Sequence, residues 1–279
     1  MKRLRRPAVC LLIGAFYLSF MSGGASAASK APKRPSVSAR SAVLIDPRSG
    51  KILYSKRPYL RLPPASTTKL MTVMIALERL KLSQPVTVSR YAASMPNSKA
   101  GLVPGVRYRA IDLIVASLVS SSNDAAVALA EAVSGSENEF AALMNQKADS
   151  LGMKYTNFVN ATGLPDKRGR QVSTAYDLAL LMRAAAKDAR IDRIMAITFA
   201  TIKGSDGRPI TLKSHNKMLF RRPGLVKGKT GWTYASRHTF VGTNYDPRKL
   251  FVFAMLSSKK PWTDIERLAQ YGQMSKARL

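Results

Sequence analysis

The segments that read as strands lie at the two ends of this chain, and the middle reads as helix. A sheet built from such a chain must bring the two ends together and leave the middle as an insertion. Near the start, Ser41–Ile45 and Lys51–Tyr54 are short apolar runs joined by the turn residues Asp46-Pro47-Arg48-Ser49-Gly50. Near the end, the stretch Gly224-Leu225-Val226 leads towards Thr239–Thr243 and Lys249–Leu256, with Asp246-Pro247-Arg248 turning between the last two. That spacing predicts a β-meander. Between the two sets, the segment after Ser66, Ile111–Val119 and Ala125–Val133 have helical length and composition. Ser136-Glu137-Asn138-Glu139 is a capping box opening a helix to about Leu151, and Thr174–Asp177 opens another to about Lys187. Thr263–Lys276 reads as a last helix, with Ile265, Leu268 and Ala269 on one face. The fold class predicted is α/β (α+β): an antiparallel sheet flanked by helices, with an inserted all-helical lobe and any site at their junction. No internal repeat is present.

The N-terminus reads as a targeting segment. Lys2, Arg3, Arg5 and Arg6 precede an apolar run, Ala8–Met21, and Ala25-Ser26-Ala27 offers a small-residue cleavage site. The run is short for a spanning helix, which needs about 20 residues. Residues 1–27 are therefore expected to be a signal peptide, 28–40 a disordered basic linker rich in Ser and Pro, and 41–279 one catalytic domain of two lobes. The single cysteine, Cys10, leaves with the signal, so no disulfide is expected. His215 and His238 stand far apart in sequence, so no metal site and no cofactor are expected. The formal net charge of +29 raises nucleic acid as a partner. The cations are scattered, however, without a nucleic-acid motif or interleaved aromatics. Attraction to the anionic polymers of a cell envelope is the simpler expectation.

Three short strings carry the chemistry: Ser66-Thr67-Thr68-Lys69, Ser121-Ser122-Asn123 and Lys229-Thr230-Gly231. A serine hydroxyl needs a neighbouring base to become a nucleophile. The i, i+3 spacing on a helix puts Ser66 and Lys69 on one face, within reach of each other. Pro63-Pro64-Ala65 stops any upstream helix, so Ser66 falls at a helix start, where free N–H groups favour an oxyanion. The residues after it are apolar on nearly every face. Burial there would disfavour the charged form of Lys69 and suit it to act as a base. Ser-x-x-Lys also occurs at Ser214/Lys217 and Ser257/Lys260, but both read as loops. Ser121-Ser122-Asn123 is a polar link between two helices; its hydroxyl and amide could relay a proton and orient a substrate amide, and Asn123 or Asp124 could equally be a plain helix cap. Lys-Thr-Gly lies on the first strand of the meander. A strand edge there could pair with an extended peptide, Lys229 could meet a carboxylate, and Gly231 would allow close approach.

Set in this order, the strings resemble the serine D-alanyl-D-alanine carboxypeptidases, the low-molecular-mass penicillin-binding proteins, over roughly Ser41 to Lys259. Supporting segments are Pro64–Met71, Ser121–Ala126, Thr162-Gly163-Leu164 followed by Ser173-Thr174-Ala175, and Lys229–Thr233. Ser122 stands where the family mostly has Gly, and Thr162 where it often has His. The resemblance implies Ser66 as the acyl-ester nucleophile, Lys69 as proton acceptor, and Ser121 as the shuttle to the leaving amine. It implies Asn123 holding the acyl amide, Lys229 with Thr230 on the substrate carboxylate, and the N–H groups of Ser66 and Trp232 as oxyanion hole. Gly231 is expected at the same strand edge, and Arg237 is a weaker candidate cation. The implied partners are peptidoglycan stem peptides, with β-lactams as covalent inhibitors, outside the cytoplasm and without a stable membrane anchor.

Alternatives remain at this level. An endopeptidase cleaving cross-links would differ only in pocket shape. A β-lactamase would need a deacylation base, yet no Glu occurs between Glu139 and Glu266, leaving only Asp166 or Asp177. A catalytically silent envelope-binding protein could share the fold. Only 48 residues follow Gly231, enough for two strands and one helix, so neither a further β-domain nor an amphipathic anchor is expected after the catalytic domain.

Overall fold

A computed structural model describes residues 32–96 and 98–276. Five antiparallel strands form one sheet: β1 (Ser41–Ile45), β2 (Ile52–Lys56), β7 (Val226–Thr233), β8 (Arg237–Asn244) and β9 (Val252–Ser258), in the order β2-β1-β9-β8-β7. The first and last strands in sequence meet where β1 pairs with β9, Val43 opposite Ala254. Everything between β2 and β7 is inserted. There lie α1 (Lys69–Arg79), β3 (Pro85–Thr87), α2 (Arg90–Ala93), β4 (Arg107–Arg109), α3 (Ala110–Val119), α4 (Asn123–Ser134), α5 (Glu137–Ser150), α6 (Ala175–Ala185), α7 (Ala189–Ile194), β5 (Phe199–Lys203), β6 (Pro209–Lys213) and α8 (Met218–Arg221). Helix α9 (Pro261–Lys276) ends the described chain.

The alternation of side chains along β1 and β9 divides two cores. Val43, Ile45, Val252, Ala254 and Leu256 face the helical lobe and pack with α1, α3, α4 and α6. Ala42, Leu44, Phe253 and Met255 face the other way, onto Ile265, Leu268 and Ala269 of α9. Both strands are buried throughout because both faces are covered. Helix α1 is buried over Lys69–Leu77 and is the axis of the lobe.

Several sequence expectations shift at their edges. The α5 and α6 boxes hold: Ser136 accepts from the Glu139 N–H and Thr174 from the Asp177 N–H. Helix α9 begins two residues earlier than predicted, because Pro261 suits the first helical position. Ser257 and Ser258 finish β9 and are not a loop. The 28–40 linker was expected to be disordered, and the structure contradicts this at its far end. Val37 and Ala39 are buried, and Ser38 and Ala39 bond the buried Asp264 carboxylate through their N–H groups and the Ser38 hydroxyl. Small residues that can bury without a polar cost explain this. Residues 1–27 and 28–31, including Cys10, lie outside the described residues. The hairpins β3–β4 and β5–β6 and the short helices α2, α7 and α8 were not anticipated. The sequence signal for the β5–β6 pair is the turn-prone string Gly204-Ser205-Asp206-Gly207-Arg208 between its two strands.

Candidate active site

The three strings, far apart in sequence, meet where the helical lobe adjoins the sheet. Ser66 sits in a 3₁₀ turn, Ala65–Thr68, that leads directly into α1. Ala65 is buried with φ of +49°, a conformation that costs energy for a side chain with a Cβ. Neighbours hold the turn from two sides. The Thr67 and Thr239 hydroxyls both donate to the Pro64 carbonyl, at 2.7 and 2.9 Å. Gly163, at φ +85°, lies so close that an added Cβ would fall 1.9 Å from the Ala65 carbonyl oxygen. Gly231 on β7 approaches from the sheet side; a Cβ there would lie 2.8 Å from the Ser66 backbone nitrogen. Strand β7 is a sheet edge, so its other side is open to pair with an extended chain.

Lys69 is fully buried. Its Nζ lies 2.9 Å from Ser66 Oγ, 2.6 Å from Asn123 Oδ1 and 2.9 Å from the Thr162 carbonyl. Burial first, and the positive charge of Lys229 second, push its pKa well below the ordinary lysine value; Asp124 and Glu137 oppose them in part. A neutral amine has two N–H groups and one lone pair. If Asn123 Oδ1 and Thr162 O take the two donors, the lone pair faces Ser66. Both acceptors are themselves fixed. Asn123 donates from Nδ2 to the Pro96 carbonyl. The Thr162 segment is pinned by Asn160 Oδ1, which accepts from the Thr162 and Gly163 N–H groups, and by Gln171, which accepts from Val159 and Asn160. Glu137 Oε1 accepts from the Ala161 N–H, and Arg168 bridges Glu137 and Asp166.

The second string is not a plain helix cap. Ser122 occupies the N-cap position of α4 without a side-chain capping bond, its hydroxyl pairing instead with that of Ser120, and Ser121 is buried at φ +61°. That strained backbone presents Ser121 Oγ to Lys229 Nζ, 2.8 Å away. Asp124 caps nothing at α4 beyond its neighbour Ala125; it accepts from the N–H groups of Ala100, Gly101 and Leu102 and so ties that loop to the helix.

Lys229 also donates to the Thr230 carbonyl at 2.7 Å and is almost wholly buried, which lowers its pKa to about 7. Its Nζ, expected to serve a substrate carboxylate together with Thr230, is bonded to Ser121 Oγ, and Thr230 lines the cleft. Asn123, expected to hold a substrate amide, accepts from Lys69 at Oδ1 and donates from Nδ2 to the Pro96 carbonyl. Arg237, exposed at the start of β8 opposite Thr233, is not among the residues lining the cleft.

The cleft over these groups has a volume of about 710 Å³ and is lined by Ser66, Ser98, Ser121, Thr230, Gly231 and the exposed Trp232. The two histidines, distant in sequence, both line it. His215 is exposed at its wall, yet desolvation, with Lys229 and Lys69 adding repulsion, lowers its pKa to about 4 and keeps it neutral. Sequence reasoning missed Ser98, His215, Asn160 and Gln171, because their parts depend on chain segments meeting in space. Asp166 is bound by Arg168, which holds its carboxyl well below the usual range, and Asp177 accepts from Tyr155 and Thr156.

The D-alanyl-D-alanine carboxypeptidase family model matches residues 28–258. The chain belongs to this family. It is 35% identical over 246 residues to D-alanyl-D-alanine carboxypeptidase DacF of Bacillus subtilis, covering 86% of this chain and 63% of the relative. It therefore spans less than two thirds of that relative's length. It is 31% identical to the D-alanyl-D-alanine endopeptidase of Escherichia coli over 90% of this chain and 82% of that one. Among solved structures, the D-alanyl-D-alanine carboxypeptidase of Mycobacterium tuberculosis superposes with a TM-score of 0.80 at 31% identity, over 86% of this chain and 92% of that one.

Proposed function

We propose that this protein is an exported serine DD-peptidase that removes or cleaves after D-alanine in peptidoglycan stem peptides, most simply as a D-alanyl-D-alanine carboxypeptidase. The observation that carries this reading is the buried, proton-poor Lys69 amine 2.9 Å from Ser66 Oγ. Lys69 takes the serine proton as Ser66 attacks the carbonyl between the two D-Ala residues. The Ser66 and Trp232 N–H groups receive the oxyanion, with the β7 edge at Thr230 to Trp232 aligning the peptide. Ser121 Oγ hands a proton to the leaving amine. Lys229, with a pKa of about 7, resupplies Ser121 through their shared bond, and the proton that Lys69 took from Ser66 passes to that pair, leaving Lys69 neutral again for deacylation. Water then repeats the sequence on the acyl-enzyme. The carboxylate of the leaving D-Ala meets the positive field around Lys229 and the Thr230 hydroxyl.

The endopeptidase reading stays open on the resemblance to the Escherichia coli endopeptidase. A β-lactamase reading finds less support, since Asp166 and Asp177 are both spent on local bonds. Export rests on the targeting pattern of residues 1–27. Among the described residues no helix is long and apolar enough to cross a membrane. The excess of cations fits attachment to anionic envelope polymers, so retention on isolated sacculi should weaken as salt rises. Digestion of purified muropeptides, with products separated by mass, tests the activity. Loss of one alanine from monomeric pentapeptides indicates carboxypeptidase action, and conversion of cross-linked dimers to monomers indicates endopeptidase action. A folded protein that leaves both intact sinks the proposal.

A further inference from the structure

The cleft that opens on Ser66 has a second, cationic wall with no part in the chemistry above. Lys213 at the end of β6, Lys217 before α8 and Arg221 at the end of α8 all line it. All three are exposed, and none makes an ion pair among the described residues. The adjacent Arg222, by contrast, is paired with Glu266. No aspartate or glutamate lines the cleft. In a chain with 45 lysines and arginines some cations must border any groove, so their number alone means little. Their placement means more. Lys213 Nζ stands 5.7 Å from the ring centres of both Phe199 and Phe220, which pack edge to face at 5.6 Å. Lys217 Nζ stands 6.0 Å from the Trp262 ring. Aromatic faces hold these ammonium groups in place without consuming their N–H donors. A pre-positioned cation with unspent donors, in a groove free of acids, is suited to an anion of the ligand.

The cleft is also larger than its chemistry needs. A volume near 710 Å³ accommodates a drug-sized ligand, well beyond two alanyl residues. We infer that Lys213 and Lys217, with Arg221 beside them, form a specificity subsite for a second carboxylate of the peptide, borne by a side chain outside the scissile D-Ala pair. The inference rests on the DD-peptidase reading and adds to it the class of peptide preferred: acidic rather than amidated. The nucleophile and its base need no such group, so the subsite acts on binding and not on bond breaking.

Trp232 and Trp262 are the only tryptophans in the chain and both line this cleft, so intrinsic fluorescence reports occupancy without turnover. Two synthetic peptides ending in D-Ala-D-Ala are titrated into the full-length Ser66→Ala protein. They are identical except that the side chain preceding the D-Ala pair ends in a carboxylate in one and a carboxamide in the other. The acidic peptide should bind about tenfold tighter, the sum expected of two or three exposed ion pairs. That advantage should shrink as salt is raised and vanish in a Lys213→Gln/Lys217→Gln protein on the same Ser66→Ala background. The salt titration needs no second substitution and keeps the test valid should that protein fold poorly. Equal binding of both peptides, or an advantage indifferent to salt and to the two substitutions, overturns the subsite while leaving the DD-peptidase reading intact. Binding of neither peptide overturns both.

Discussion

Ser66 and Lys69 share one hydrogen bond, and the joint role proposed for them has a measurable signature. Ser66→Ala and Lys69→Ala should each abolish acylation by a fluorescent penicillin, and the double variant should be no worse than either. Lys69→Arg should fail as well, because a guanidinium stays protonated and cannot accept the serine proton. A folded Lys69→Ala protein that acylates at the parent rate would overturn the assignment of the base. Lys229 makes a second, opposite demand on stability. Burial lowers its pKa from 10.5 to about 7, so between those values the unfolded chain holds a proton that the folded chain does not. Unfolding then takes up protons, and the stability of the fold rises with pH over that window. Lys229→Met removes the contribution. Compared by denaturant unfolding, the parent should gain on the variant from pH 7 to 10 by on the order of 4 kcal/mol. Parallel pH profiles for the two proteins would show that Lys229 is not desolvated as the structure has it.

At the scale of elements, the site exists because an edge strand and a helix start are allowed to touch. Gly231 is the point of contact: a Cβ there would lie 2.4 Å from Thr239 Oγ1 as well as 2.8 Å from the Ser66 nitrogen. Gly231→Ala must push β7 away from the turn that carries Ser66. Both oxyanion donors proposed here, the N–H groups of Ser66 and Trp232, flank that contact. The expected result is a fall in acylation rate of about 10²–10³, the typical effect of losing one oxyanion donor, with a much smaller change in melting temperature. Stopped-flow acylation alongside a thermal melt checks this; an unimpaired rate would place the oxyanion donors elsewhere.

Among the described residues, the fold is closed by its first and last strands. The β1–β9 pairing joins residues more than two hundred positions apart, and Asp264 seals the junction. This buried carboxylate accepts from the Ser38 N–H and hydroxyl, the Ala39 N–H and the Ser258 hydroxyl. Asp264→Ala strands two backbone N–H groups and should cost about 2–4 kcal/mol. For a domain of this size that is a drop of roughly 4–16 °C in melting temperature. A chain beginning at Ser41 should lose a similar amount, and adding Asp264→Ala to it should cost much less than in the intact chain, because the two changes remove the same bonds. Additive losses would show that residues 36–40 are not part of the folded unit.

Local sequence was enough for whatever depends on periodicity and caps. The strands at both ends, the long helices, the Ser136 and Thr174 caps, and Ser66 beside Lys69 one turn apart were all legible, because each is fixed by neighbours within a few residues. The Lys-Thr-Gly string could likewise be set on the first strand of a meander. Only the tertiary structure decided what those residues meet. It bonded Lys229 to Ser121, engaged Asn123 at both ends, and left Arg237 outside the cleft. It also brought His215, Lys213 and Lys217 to the cleft and drew Ser38 under α9. Such contacts span from 54 to more than two hundred residues of sequence. They follow from how a sheet closes around an inserted lobe, which no short stretch of chain encodes.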